Sequence, residues 1–446
     1  MKNVKNLIGV IVFTILMSRD IRLKTRVLFS GLSVLLIVSG FSSTVRADAV
    51  TRWNEIATTT FTADPTINFN PLAESRIYAM THAAIHDALN AIDLRYQPYV
   101  STRRPDGEIS PEAAVTAAAY RVLINELPNQ QAVLDAEYAA ALDDIPDGEA
   151  KTRGVALGQD AAAVIIALRS DDGSTTQVPY TPGTEPGEWR PTPGPPDFLP
   201  AFAPGWGQVT PFTLRRGAQF RPAPSAYFNL TSGAYTNNYN EVKSLGSVNS
   251  TTRTSEQSEI AMFWYENSPT GWNRIARNAS AGQGLDLWQN ARLFGLLNLA
   301  LADGYVSSWD AKYFYNFWRP VTAIRAGDQD GNPRTVADPE WMSFLFTPPL
   351  PDNSSGHAVE GAVAAEVLGR FFSNDNIPFT TTSGAPFPGI TRSFNSFSQA
   401  AQENADSRIY AGIHFRAATE DGLEQGEKIG RYVFRNFLKP VRGQFD

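Results

Sequence analysis

The sequence predicts an all-α protein, and three observations carry that expectation. Apolar residues recur at helical spacing in several long stretches, two-residue strand alternation is scarce, and one long Pro- and Gly-rich stretch interrupts the helical text. The expected architecture is a set of helical bundles with a long Pro/Gly-rich loop insert. At 446 residues the chain can bury a substantial core, as two domains or one large one.

The first 50 residues hold two apolar runs, LIGVIVFTILM from Leu7 and VLFSGLSVLLIVSG from Val27, separated by the basic stretch RDIRLKTR. Neither run has the length of a comfortable membrane span. The second reads as a secretory signal: Arg19, Arg22, Lys24 and Arg26 precede the apolar core, and STVRADA offers small residues for cleavage after Ala47 or Ala49. Residues 1–47 are therefore read as a signal-peptide region, with Met17 as an alternative start, and the protein as exported, periplasmic or extracellular. The competing reading is a membrane-anchored hairpin. No comparable apolar run follows residue 50, so no membrane span is expected in the mature form.

From Leu72, the text LAESRIYAMTHAAIHDALNAI places Ile77, Met80, Ala84, Ala88 and Ile92 at helical spacing. Pro111 suits the first turn of a second helix, and Glu149 to Leu168 reads as a third. Between about Ser170 and Ser250, Pro and Gly crowd the text and periodicity disappears, so an extended connection is expected that wraps a surface, builds a site wall or links domains. Helical text resumes at Thr254, followed by two long helices, about Gly284 to Asp303 and Ser307 to Arg325. The loop from Ala326 opens like a calcium loop, but its later acidic ligands do not fall into place, and it reads as a plain turn. Residues 48–250 are thus read as an N-terminal helical region plus connection, and 251–446 as a C-terminal helical domain.

A net charge of −7 argues against nucleic acid as a partner, so any anion binding must come from a local basic cluster. The absence of cysteine removes disulfides, thiolate catalysis and Cys-based metal sites. Only four histidines exist, at positions 82, 86, 357 and 414. His82 and His86, one turn apart beside Asp87, lack a third histidine nearby to argue for zinc and read as a packed helix face.

Three stretches of the C-terminal half hold the groups that an oxyanion needs. In KYFYNFWRP, Lys312 and Arg319 stand seven apart, which on one continuous helix is one face, and aromatic residues surround both charges. In PPLPDNSSGHAVEGAVAAEVLGRFF, prolines precede a helix on which Val359, Val363, Val367 and Leu368 mark one side. Ser355, Gly356 and His357 then fall at its N-terminus, where free N–H groups and the helix dipole favour an anion. In SRIYAGIHFRAATEDG, Arg408 offers a planar fork of donors, and Gly412 is expected to stop a helix and let His414 turn inward. Together these groups suit a tetrahedral oxyanion, with one histidine to bond its central atom and one to move protons.

The ordered motifs Lys-x6-Arg-Pro, Ser-Gly-His and Ser-Arg-x5-His resemble those of the superfamily of vanadium-dependent haloperoxidases and type-2 phosphatidic-acid phosphatases. Trp309 and Trp318 also stand where the bacterial haloperoxidase branch carries tryptophans. The resemblance covers about residues 285 to 437. It implies a vanadate cofactor, or none in a phosphatase. His414 would bond vanadium or attack phosphorus, His357 would act as acid/base, and Lys312, Arg319, Arg408, Ser355 and the Gly356 amide would hold the oxygens.

Two positions depart from the family pattern. The usual Pro before Ser-Gly-His is Ser354, and the Asp often found four residues after the last histidine is Ala418. Glu420, Asp421 or a backbone carbonyl could replace that carboxylate. Leu350 stands where some halide-oxidising relatives carry an aromatic. The leading functional reading is a haloperoxidase acting on peroxide and halide. The alternatives are an acid phosphatase acting on a phosphate ester through a phosphohistidine, and a non-catalytic oxyanion-binding protein. Monomer and homo-oligomer stay open.

Overall fold

Many of the described helices open on a capping side chain or on a proline in the first turn. The computed structural model describes residues 48–100, 106–193 and 198–441, so the signal-peptide region at 1–47 lies outside the described residues. The first helix, α1 (Ala49–Ala63), begins where the Asp48 carboxylate accepts the Thr51 amide. Next come α2 (Pro71–Ile92) and α3 (Pro111–Glu126), each with proline in its first turn, then α4 (Gln131–Asp143) and α5 (Glu149–Arg169). The three helices expected before residue 170 are all present; α1 and α4 add to them.

The connection after α5 contains only short 3₁₀ turns up to residue 228, but the expected extended run does not reach Ser250. Helix α6 (Gly233–Leu245) interrupts it, capped by Ser232 and burying Tyr235, Thr236, Tyr239 and Val242. Its spacing is helical, but the buried stripe is mostly tyrosine in Asn-rich text, which hides it from an aliphatic pattern.

Helices α7 (Ser255–Phe263) and α8 (Ser268–Ala281) lead to α9 (Leu287–Tyr315), a buried axis of 29 residues. Here the structure corrects the sequence reading: α9 runs unbroken through 303–307, and the break comes later. Asn316 adopts a left-handed conformation (φ 51°) and ends the helix. The short α10 (Pro320–Arg325) follows, with Arg319 as its N-cap. Helix α11 (Gly356–Phe371) then leads into a hairpin of β1 (Phe379–Thr382) and β2 (Thr391–Phe394), followed by α12 (Phe397–Tyr410) and α13 (Arg416–Asn436). The molecule is all-α apart from this hairpin among the described residues.

One hydrophobic core runs without a break from Trp53 and Phe61 of α1, through Leu293 to Leu301 of α9, to Val359 and Val363 of α11 and Ile429 of α13. The Pro-rich connection is strapped along α9 by directed hydrogen bonds. The buried Asp303 carboxylate accepts the amides of Phe212 (2.6 Å), Thr213 (2.7 Å) and Leu214 (2.9 Å). Farther along, Arg221 grips Asp310 with two hydrogen bonds, and Phe202 donates its amide to Pro349 O at 2.8 Å. The connection therefore backs the first two anion motifs. The loop after α10 is a plain turn closed on Asp330, which accepts the Asn332 amide and the Thr335 hydroxyl. Among the described residues, no helix is long and apolar enough to cross a membrane.

Candidate active site

The break in α9 sets the first motif. Lys312 lies in the last turn of α9 and Arg319 beyond it, so the pair does not share one helix face as its spacing suggested. The two cations converge because the chain turns at Asn316. Lys312 is 1% exposed and donates from Nζ to Pro351 O (3.2 Å) and Asp352 O (3.0 Å). Arg319, fully buried, donates from Nε to Leu350 O and from Nη1 to Ile413 O, both at 2.6 Å. Each cation thus fixes the loop that precedes Ser-Gly-His, and Arg319 also ties it to the third motif.

That loop is held on every side. Asp352 donates its amide to Phe317 O at 2.9 Å, and Ser355 donates its own to Ala418 O at 2.9 Å. Ser354, in place of the family's proline, donates to Gln425 Oε1 at 2.5 Å, so a hydrogen bond does the stiffening that a ring would do. Ser355 is the N-cap residue of α11, yet its hydroxyl makes no capping bond. His357 in the first turn donates from Nε2 to Glu266 O (3.1 Å), which leaves Nδ1 as the proton-accepting nitrogen.

The third motif closes the site. Helix α12 ends at Tyr410, and Gly412 takes φ +80°, a conformation that suits glycine and turns the chain so that His414 points inward. His414 is 4% exposed. Arg408 is buried, donates from Nη1 to Trp264 O (3.2 Å) and sits 5.5 Å from the Tyr265 ring centre. His414 Nε2 lies 2.9 Å from Arg319 Nη1.

The carboxylate missing at Ala418 is supplied from another segment. Asp352, fully buried, accepts from His414 Nδ1 at 2.8 Å, with its Oδ1 also 3.8 Å from Arg319. Neither acidic substitute weighed from the sequence takes this role: Glu420 is exposed, and Asp421 accepts from Asn353 Nδ2 at 2.6 Å. Binding through Nδ1 leaves Nε2 unprotonated, with its lone pair accepting from Arg319 Nη1. The signal was present, since Asp352 stands three residues before Ser355, but a loop acid has no periodicity to show where it points. Glu266 was missed for a related reason: it acts on His357 through its backbone carbonyl.

Burial and mutual repulsion disfavour the protonated forms of the site's bases. His414 is pushed well below the usual histidine range by burial and then by Arg319, and His357 likewise by burial and then by Arg408. Lys312 is lowered by burial and by Arg319, while burial brings Arg319 and Arg408 down to about 10. Asp352 rises to about 7, since burial outweighs the opposing pull of Arg319 and Lys312.

The donor set fits a tetrahedral oxyanion. Ser355 Oγ, Arg319 Nη2 and Arg408 Nε are buried side-chain atoms without a hydrogen-bond partner, and each belongs to a residue of the three motifs. An anion at the N-terminus of α11 would engage donors of this kind together with the free amides of its first turn. His82 and His86 take no part. They lie on the buried face of α2, His82 against Asn54 (2.8 Å) and His86 against Asp87 and Asn90 (both 3.2 Å).

Residues 292–443, which contain all three motifs, match the family model for the second helical-bundle domain of VCPO. The chain is similar to the vanadium chloroperoxidase of Curvularia inaequalis, with 27% identity over 493 residues, covering 83% of this chain and 79% of that protein. Among solved structures it is similar to the first bacterial vanadium-dependent iodoperoxidase, with a TM-score of 0.76 and 28% identity, covering 88% of this chain and 97% of that one. A holo-type bacterial vanadium-dependent chloroperoxidase shares the fold, with a TM-score of 0.71 and 18% identity over 87% of this chain and 97% of that one. The resemblance read from the motifs and the all-α class are both borne out.

Proposed function

We propose, on the premise that this chain is a haloperoxidase-like enzyme of the vanadium-dependent haloperoxidase and phosphatase superfamily, that it oxidises a halide with hydrogen peroxide at a vanadate bonded to His414. The observation that carries the reading is the pairing of His414 Nδ1 with Asp352, which leaves Nε2 unprotonated beside buried donors that have no partner. Vanadate, when bound, supplies a Lewis-acidic centre that activates peroxide. The chain's own residues do the rest. Lys312, Arg319, Arg408, Ser355 Oγ and the Gly356 amide hold oxygens, the α11 N-terminus adds its dipole, and His357 Nδ1 accepts and returns a proton.

The same geometry supports the phosphatase as a second reading, because a carboxylate-oriented histidine with an unprotonated Nε2 is also what a phosphohistidine nucleophile requires. The non-catalytic reading loses its motive, since Asp352 fills the role left open at Ala418. A paired assay on one preparation separates the rest: halide oxidation with vanadate and peroxide, and phosphomonoester hydrolysis without them. Vanadate-dependent halide oxidation exceeding ester hydrolysis supports the proposal, and the reverse selects the phosphatase.

Export is the matching proposal for localisation. Asp48 both caps α1 and accepts from Asn290 Nδ2 at 2.6 Å. Cleavage after Ala47 preserves these contacts and cleavage after Ala49 removes them, which favours Ala47 as the last residue cut away. N-terminal sequencing of the secreted protein reads the site directly.

A further inference from the structure

The carbonyl that accepts from His357 belongs to a short turn between α7 and α8, residues 264–267, and that turn serves the anion site twice. Glu266 O accepts from His357 Nε2 (3.1 Å), and Trp264 O accepts from Arg408 Nη1 (3.2 Å). Each of the four side chains of the turn is tied to a different place. Trp264 Nε1 donates to Glu403 on α12 (3.0 Å), the Tyr265 hydroxyl to Phe346 O (2.6 Å), and Asn267 Nδ2 to Glu74 in the first turn of α2 (2.6 Å). The fourth is the Glu266 carboxylate, a buried acid that none of the roles above uses.

That carboxylate fills a slot between α8 and the β1–β2 hairpin. Its Oε1 pairs with Arg274 Nη2 of α8, and its Oε2 accepts the Gly384 amide from the turn of the hairpin at 2.7 Å. Arg274 Nε donates in turn to Thr381 Oγ1 on β1 (3.1 Å), so Glu266 is braced against both the strand and the turn of the hairpin. Glycine forms both walls of the slot. A Cβ on Gly271 would lie 2.8 Å from Glu266 Oε1, and one on Gly384 would lie 2.8 Å from Oε2. Glycine inside a helix costs stability relative to alanine, and at Gly271 in α8 it leaves the room that the carboxylate occupies.

We propose that Glu266 is a positioning residue: its carboxylate, seated between α8 and the hairpin, holds the turn so that its own carbonyl fixes the His357 ring with Nε2 protonated and Nδ1 as the proton acceptor. The inference rests on the catalytic reading above, in which His357 moves the proton. A backbone carbonyl can only accept, so the bond to Glu266 O requires the proton on Nε2. A ring that pivots or exchanges tautomers presents its basic nitrogen to the site for only part of the time. The acceptor of Arg408 is secured separately, because Trp264 ends α7 with its amide on Ile260 O (3.2 Å) and its indole on Glu403. Releasing the Glu266 carboxylate therefore reaches His357 and spares Arg408. The charged groups that face His357 are Arg408, Lys312 and Arg319, and those that face Glu266 are Arg274 and Glu74.

Two readouts test the brace, and one is independent of turnover. ¹⁵N NMR of histidine-labelled protein reads the tautomer directly; with four histidines in the chain the spectrum is simple, and His357→Gln identifies the signals of interest. Wild-type His357 should be neutral with its proton on Nε2. In Glu266→Ala that signature should give way to a mixture of tautomers, and kcat for halide oxidation or ester hydrolysis should fall roughly tenfold or more while affinity for inorganic phosphate stays within about twofold. Gly384→Ala presses on the same carboxylate from the hairpin with every charge kept, and should move tautomer and kcat in the same direction by less, which preserves the test if Glu266→Ala fails to fold. A folded variant with lower kcat and an unchanged tautomer overturns the inference, since general loosening alone would do that. Unchanged tautomer and kcat in the variants overturn it as well, as does a wild-type His357 protonated on Nδ1. A wild-type protein with the expected tautomer but neither activity contradicts the catalytic reading instead.

Discussion

Two buried polar regions of this protein look alike in composition and differ in what they leave open. In the first, His82 meets Asn54, Asn54 donates to Asn273 (2.7 Å), and Asn273 and Asn298 exchange hydrogen bonds of 2.7 and 2.9 Å, joining α1, α2, α8 and α9. Among the atoms of that network only His82 Nδ1 stays unpartnered. In the second, the anion site, Ser355 Oγ, Arg319 Nη2 and Arg408 Nε stay unpartnered around two neutral histidines. A closed network stabilises a junction, and an unfinished one marks a place where a ligand completes it. The difference tells a structural histidine from a functional one better than burial does, since His82 is itself driven down to about 3 by burial and by Arg277.

Substitutions should separate the two regions by the kind of damage they do. His414→Ala should have the largest effect, a loss of roughly 10³-fold or more in turnover, because it removes the group that bonds the reacting centre. Phosphate binding should persist through the cationic cage, which calorimetry would register, and retained turnover would erase the contrast. Asp352→Asn is expected to cost about 10–100-fold in activity or anion affinity with little change in Tm, the usual consequence of losing a carboxylate behind a ligating histidine. Equal activity in this variant would return Asp352 to a purely structural role.

The closed network should respond in stability alone. His82→Ala is expected to cost about 1–3 kcal/mol by leaving Asn54 unsatisfied, with kcat unchanged. Denaturant unfolding together with steady-state kinetics would check both halves of that statement.

Glu74 gives a milder effect that depends on pH. Its folded pKa of about 8 lies above the ordinary value of 4.5, so the protonated form is favoured by folding. The stability this contributes is fully present below the unfolded pKa and is lost as pH rises through the folded one. Glu74→Gln should therefore flatten the fall in Tm between about pH 5 and pH 8, by a few degrees at the upper end. Parallel melting curves for the two proteins across that range would show that Glu74 is ionised in the fold.

Much of this was legible in the sequence, and what was hidden shares a cause. Helices α2, α3 and α5 show because alanine, valine and isoleucine mark a face, whereas α6 and α8 bury tyrosine, tryptophan and asparagine and do not. Ser355, Gly356 and His357 could be placed because prolines before a valine-spaced helix fix its N-terminus. The shared helix face drawn for Lys312 and Arg319 was wrong, since the left-handed turn at Asn316 is one that asparagine permits without announcing. Asp352 and Glu266 escaped notice because their roles come from what folds against them, and no local pattern records that.

The most direct measurement is a crystal structure of the protein grown with orthovanadate. The account expects one vanadate, with His414 Nε2 bonded to vanadium and with Ser355 Oγ, Arg319 Nη2 and Arg408 Nε within about 2.7–3.1 Å of its oxygens. A well-ordered structure at saturating vanadate with no anion there, or with the anion bound away from His414, would contradict it.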